Sequence, residues 1–216
     1  MDTAVALVQD SLQINGYFTV AEYPVLEAAR RGVPGRSVTD LDILALRFAG
    51  AGHEVIRGQT HGPIGGRRFA PDAELGRPPD RPDMIVGEVK EGAARFNAAT
   101  RDQEVLEVAL ARFGCCSSDH AAALAGELLS RGRVESPVGH SIRLVAFGSS
   151  PDGGDTRRWT TVSMPHVVRF LRRYLRQHWE VLHRAQMKDP ALGVLALLEK
   201  WDEGSPSDVR SGSGPA

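Results

Sequence analysis

Two segments of this chain, SVTDLDILALRF (37–48) and DMIVGEVK (83–90), carry apolar residues on both faces of a two-residue alternation. A strand that is apolar on both faces must be covered on both sides, which confines the fold to layers with a sheet in the middle. In 37–48, Asp40, Asp42, Leu44 and Leu46 share one face, while Leu41, Ile43 and Ala45 share the other. In 83–90, Met84, Val86, Glu88 and Lys90 alternate with Ile85, Gly87 and Val89.

The rest of the chain supplies the cover. Residues 3–14 place Val5, Leu7, Val8, Leu12 and Ile14 at helical spacing, and Asn15-Gly16 can stop that helix. The segment YFTVAEYPVLEA (17–28) predicts a strand with Pro24 at an edge or bulge, pairing with 37–48 as a hairpin. Between Arg57 and Pro82 there are five Gly and five Pro in 26 residues, which predicts a long loop or loose hairpin. Helices are predicted over 99–113, 119–131, 165–184 and 190–201. A strand is predicted over IRLVAFGS (142–149), with PDGGD (151–155) as its turn. The fold class is therefore α/β, a mixed sheet flanked by helices, in one domain over 1–202: a core over 1–150 and a helical extension over 156–202. Residues 203–216, nine of them Ser, Gly or Pro, predict a disordered tail.

Composition bounds the function classes. With 42% hydrophobic and 25% charged residues among 216, the chain can bury a core. Lys plus Arg number 26 against 27 Asp plus Glu, a net charge of −1, so any polyanion site must be local. The two cysteines, Cys115 and Cys116, are adjacent and cannot staple distant parts of a fold, which fits a reducing compartment. The first residues, MDTAVALVQD, lack the pattern of a signal peptide, and no stretch has the length of a membrane helix. A cytoplasmic protein with no membrane partner is the expectation.

The chemistry lies in the charges that emerge from the apolar strands. A carboxylate at the margin of a core, as Asp42 would be, needs a partner. If 83–90 lies beside 37–48, Asp42, Glu88 and Lys90 converge. Two carboxylates at one place repel, and a divalent ion with oxygen ligands resolves the conflict. Mg²⁺ or Mn²⁺ is the natural choice, because no His or Cys lies near in sequence.

An acid in a strand, here Asp42 in TDLDILAL, followed after an excursion by acid-x-Lys, here Glu88-Val89-Lys90, resembles the PD-(D/E)xK nuclease superfamily with its restriction-endonuclease-like fold. The resemblance covers roughly residues 1–113. It implies a metal-dependent phosphodiesterase acting on DNA, with RNA left open, in which Asp42, Glu88 and the backbone carbonyl of Val89 hold one or two ions. It further implies that Lys90 positions or helps deprotonate the attacking water. The literal Pro82-Asp83 pair falls on the opposite strand face from Glu88, so Asp83 reads as a strand-start residue and Asp42 as the acid of the motif. Many relatives add an acid from the first helix. Here that helix offers only Asp2 and Asp10, with Gln9 and Gln13, and Glu22 on the first strand could substitute as a further metal ligand.

A second feature is MPHVVRFLRRYLRQHWEVLHR (164–184), where Arg169, Arg172, Arg173 and Arg176 form one helical stripe able to contact several phosphates. The bland reading is an exposed face whose arginines pair with acids elsewhere. Arg57, Arg67, Arg68, Arg77 and Arg81 add charge to the long loop. No helix-turn-helix, zinc-ligand spacing or phosphate-binding Gly-rich loop occurs. Two other functions compete with the nuclease: a catalytically inactive nuclease-fold module that binds nucleic acid or a partner protein, and a carboxylate pair for glycoside hydrolysis. The latter is disfavoured by 6% aromatics with none beside the acids. The sequence leaves the oligomeric state open, a homodimer being one option.

Overall fold

The computed structural model describes residues 2–27, 34–52, 71–151, 158–183 and 187–204. Helix α1 (Thr3–Ile14) is capped by the Asp2 carboxylate, which accepts from the Ala4 amide, and leads into β1 (Phe18–Glu27). Strands β2 (Arg36–Arg47) and β3 (Asp83–Val89) follow, then the short β4 (Ala93–Ala94). Helices α2 (Gln103–Phe113) and α3 (Ser118–Arg131) precede β5 (Arg133–Glu135), β6 (Ser141–Gly148), β7 (Ser150–Pro151) and β8 (Thr160–Ser163). Three helices close the chain: α4 (Met164–Gln177), α5 (Trp179–Leu182) and α6 (Pro190–Gly204).

The main sheet is mixed and has six strands. Its order is β1-β2-β3-β6-β5, with β8 sharing an edge of β6. β1, β2 and β3 form an antiparallel meander, and β3 runs parallel to β6. All seven residues of β3 are buried, as a central strand covered on both faces requires. On one face, Leu44, Met84, Val86, Leu144 and Ala146 pack with Leu106, Leu110, Ala125 and Leu128 of α2 and α3. On the other, Ile43, Ile85, Val145 and Phe147 pack with residues of α1, α4 and α6, among them Val8, Leu12, Phe170 and Leu195.

Several expectations are corrected. The segment 156–202 is not a purely helical extension: β8 joins the sheet, and Val167, Phe170, Leu171 and Leu175 of α4 lie in its second core. The helix expected over 165–184 breaks at His178, and α6 continues to Gly204, into the expected tail. Helix α2 begins at Gln103 rather than 99, because Asp102 caps it by accepting from the Glu104 amide. The loop arginines Arg57, Arg67 and Arg68, most of the PDGGD turn and the end of the chain lie outside the described residues.

Asp83 has a structural role far from the motif proposed above. It is fully buried, takes two hydrogen bonds from the Arg143 guanidinium at 3.0 and 2.7 Å, and accepts a third from the Tyr17 hydroxyl at 2.5 Å. Burial and that carboxylate push the Tyr17 hydroxyl pKa well above the ordinary phenol value. Arg143 also donates to the Leu75 carbonyl at 2.7 Å, tying the segment before β3 to the sheet.

Candidate active site at the end of the β2–β3 ladder

The β2–β3 ladder pairs Arg47 with Asp83 at one end and Ile43 with Gly87 at the other. Beyond that last pair, the backbone of β2 is replaced by a side chain: Asp42 Oδ2 accepts from the Val89 amide at 2.8 Å. A second irregularity faces it. The β1–β2 register runs from Ala21↔Ile43 to Tyr23↔Leu41, passing over Glu22 and Asp42, and Glu22 has φ +52°. Both strands change faces there. Ala21 and Ile43 belong to the core beneath α1 and α4, whereas Tyr23 and Leu41 belong to the core beneath α2 and α3. Backbone strain of this kind gathers at sites where a side chain must be aimed away from the regular pleat.

Glu88 lies opposite this departure on β3, with 1% of its side chain exposed. A buried carboxylate needs donors, and three converge on it. Asn97 Nδ2 donates to Oε1 at 2.8 Å, the Thr100 hydroxyl donates to Oε2, and the Lys90 ammonium contacts Oε1. Asn97 is itself held, because its Oδ1 accepts from the Thr100 amide at 2.7 Å. Lys90 Nζ also lies 3.8 Å from Asp42 Oδ2, and its side chain is 35% exposed. The ammonium therefore sits between the two carboxylates at the protein surface. Its strand position is fixed by the bond from its amide to the Phe147 carbonyl at 2.9 Å.

The segment carrying Asn97 and Thr100 is placed by a close backbone approach. A Cβ at Gly148 would lie 2.4 Å from the Ala94 nitrogen, so only glycine lets β4 cross the end of β6. The amide of Ser149 then donates to the Gly92 carbonyl at 2.7 Å.

The structure thus brings Asp42, Glu88 and Lys90 together, with Val89 between the last two. Asn97 and Thr100 were missed by sequence reasoning. The available signal was Asn97-x-x-Thr100 just ahead of a helix start, a pattern for local side-chain-to-backbone bonding. Glu22 is a cross-strand neighbour of Asp42, yet it does not complete a ligand cluster. Among the described residues, no three His, Cys, Asp or Glu side chains gather as a metal site. The acid of the first helix is also elsewhere: Asp10 lies against Asp189, and Gln9 and Gln13 both donate to the Thr19 hydroxyl.

The arginine stripe is only partly available. Arg172 and Arg176 are paired with Glu199 and Asp202 of α6, whereas Arg169 and Arg173 make no ion pair among the described residues. The stripe also lies on the far side of the sheet from Glu88. α4 covers the face of Ile85, whereas Glu88 shares the face of Met84 and Val86. No helix among the described residues is long and apolar enough to cross a membrane.

Comparison with protein-family models, with curated proteins and with solved structures finds no match to this chain.

Proposed function

We propose that the protein is a metal-dependent nuclease that hydrolyses phosphodiester bonds in DNA at the Asp42, Glu88 and Lys90 site. The observation that carries this reading is the Lys90 ammonium held between two carboxylates at the point where β2 leaves β3. The order of α1, the β1–β2–β3 meander, α2 and α3, and then β6 parallel to β3 accords with a restriction-endonuclease-like core.

The donor set suits a hard divalent cation. Asp42 and Glu88 offer carboxylate oxygens, and the pair already accommodates positive charge between them. Mg²⁺ is commonly held by one or two carboxylates with water filling the remaining positions, so a third acid such as Glu22 is not required. Asp42, Glu88 and the Val89 carbonyl would hold the ion, which when bound lowers the pKa of water and offsets charge on phosphoryl oxygens.

The remaining work belongs to the chain. Asn97 and Thr100 donate to Glu88 and so hold it as an acceptor in one orientation. Asp42 is oriented by the Val89 amide. Lys90, on a partly exposed side chain, orients the attacking water and stabilises the developing negative charge on the non-bridging oxygens. As its oxygen bonds to phosphorus the attacking water releases a proton to solvent, the phosphorus–oxygen ester bond breaks, and the departing alkoxide takes up a proton from solvent.

The test is incubation of the full chain with linear, circular and single-stranded DNA in Mg²⁺ or Mn²⁺. Cleavage that is lost with EDTA and reduced at least 100-fold in Asp42→Asn and Lys90→Ala supports the reading. Cleavage that persists in both variants overturns it.

A second reading, an inactive module that keeps this scaffold, is favoured by one observation. Lys90 occupies the space between the carboxylates and Glu88 already has three partners. It predicts no turnover under any metal condition.

A further inference from the structure

The outer face of α4 carries a groove of about 620 Å³ lined by His166, Arg169, Phe170, Arg172, Arg173 and Arg176. Its four guanidinium groups differ in state. Arg169 and Arg173 are exposed and unpaired among the described residues, the latter stacked over the Phe170 ring at 5.5 Å. Arg172 and Arg176 both donate through Nε to Glu199, whose side chain is 4% exposed, and Arg172 also binds Asp202, which is 61% exposed. The two held arginines are thus occupied by carboxylates of the chain's own last described helix, while His166 at the groove's other end is held by Asp72 and Glu74, at 2.8 and 2.9 Å.

A guanidinium presents the same planar fork to a carboxylate as to a phosphate. With a rise of 1.5 Å per residue, Arg169 to Arg176 spans about 10 Å, the length over which one strand of a duplex presents about three phosphates. In a chain of net charge −1, four arginines on one stripe are a local exception that bulk composition does not explain. Helix α6 packs on the core through Ala191, Leu192, Leu195 and Ala196 of its first half, and its ion pairs to α4 lie further along, at Glu199 and Asp202.

We propose that the arginine face of α4 binds the phosphate backbone of a nucleic acid, and that α6 acts as an intramolecular competitor, Glu199 and Asp202 holding Arg172 and Arg176 until phosphates replace them. The choice of nucleic acid among polyanions rests on the nuclease reading. The surface itself is separate from the Asp42 site and lies across the sheet from it.

The test is fluorescence anisotropy with the full chain and a labelled 20-base-pair DNA in EDTA, which makes binding independent of hydrolysis and of any failure of the nuclease reading. Wild-type affinity should fall steeply with salt. Arg169→Glu with Arg173→Glu should weaken binding at least 10-fold. Glu199→Gln with Asp202→Asn should tighten it at least 5-fold. As a control for bulk charge, Glu104→Gln with Glu107→Gln on α2 should change affinity less than 2-fold. If the Glu199 variant fails to fold, the single Asp202→Asn change at an exposed position should still tighten binding 2-fold or more. Three results would each overturn the proposal: unchanged or weaker binding in a folded variant lacking the α6 acids, equal tightening in the α2 control, or anionic phospholipid vesicles or polyglutamate binding as tightly with the same arginine dependence.

Discussion

Glu88 is the residue whose surroundings say most about this molecule. A carboxylate inside an apolar strand is destabilising unless its oxygens are satisfied, and here an amide, a hydroxyl and an ammonium meet it. Thr100→Val removes the hydroxyl while keeping the shape. Its expected effect is a 10- to 100-fold loss of metal-dependent activity, the range found for groups that orient a metal-ligating side chain. Steady-state cleavage rates at several Mg²⁺ concentrations would show this as a shift toward higher metal demand, and an unchanged metal dependence would show that Thr100 does not orient the ligand. The three charged residues were legible in the sequence because strand parity alone puts Glu88 and Lys90 on one face. Asn97 and Thr100 were not, because their convergence depends on a loop path set by the Gly148 crossing, which no periodicity encodes. Strand position alone brings Glu22 toward the site as a candidate ligand. Its positive φ and the passed-over register there are tertiary features invisible to a two-residue repeat.

At the scale of elements, α1 meets the start of α6 through two acids, Asp10 of α1 and Asp189 just ahead of α6, which accepts from the Ala191 and Leu192 amides. Asp10 is buried against Asp189, and its pKa is raised from 3.8 to about 7 by burial first and the neighbouring carboxyl second. The native state therefore keeps this proton after the unfolded chain has lost it, so the stability difference falls as pH rises from about 4 to about 7 and stays low above that. Asp10→Asn should flatten that slope and raise stability at pH 8 by about 1–2 kcal/mol, read from urea unfolding at pH 5 and pH 8. An identical slope in the variant would show that Asp10 is not the group responsible. The Asp10–Asp189 meeting was illegible in the sequence, since 179 positions separate the partners. The pairing of α4 with α6 left a trace: Glu199 and Asp202 are three apart, as neighbours on one helical face must be. Strand β8 left one too in Thr160-Thr161-Val162, a β-branched run too short to stand out from the turn before it.

For the whole molecule, the sheet separates two chemistries. The acid site opens where β2 and β3 part, on the side of α2 and α3, and the arginine groove lies over α4 on the other side. The layered architecture was readable from two doubly apolar strands, because no other arrangement covers both of their faces. The strand order was not, since pairing partners depend on contacts between distant segments. What locks the layers at the end away from the acids is the Arg143–Asp83–Tyr17 cluster. Arg143→Met should lower unfolding free energy by about 3–5 kcal/mol by leaving a buried carboxylate short of its charge partner. Chemical denaturation checks this, and a loss below about 1 kcal/mol would show the cluster to be dispensable.

The most direct measurement is the rate of DNA cleavage in Mg²⁺ by wild type and by Lys90→Ala preparations that melt at the same temperature. The proposed activity requires turnover in the first and a loss of at least 100-fold in the second. Equal rates in the two, or no cleavage by wild type with Mg²⁺ or Mn²⁺ on any DNA form, would contradict it.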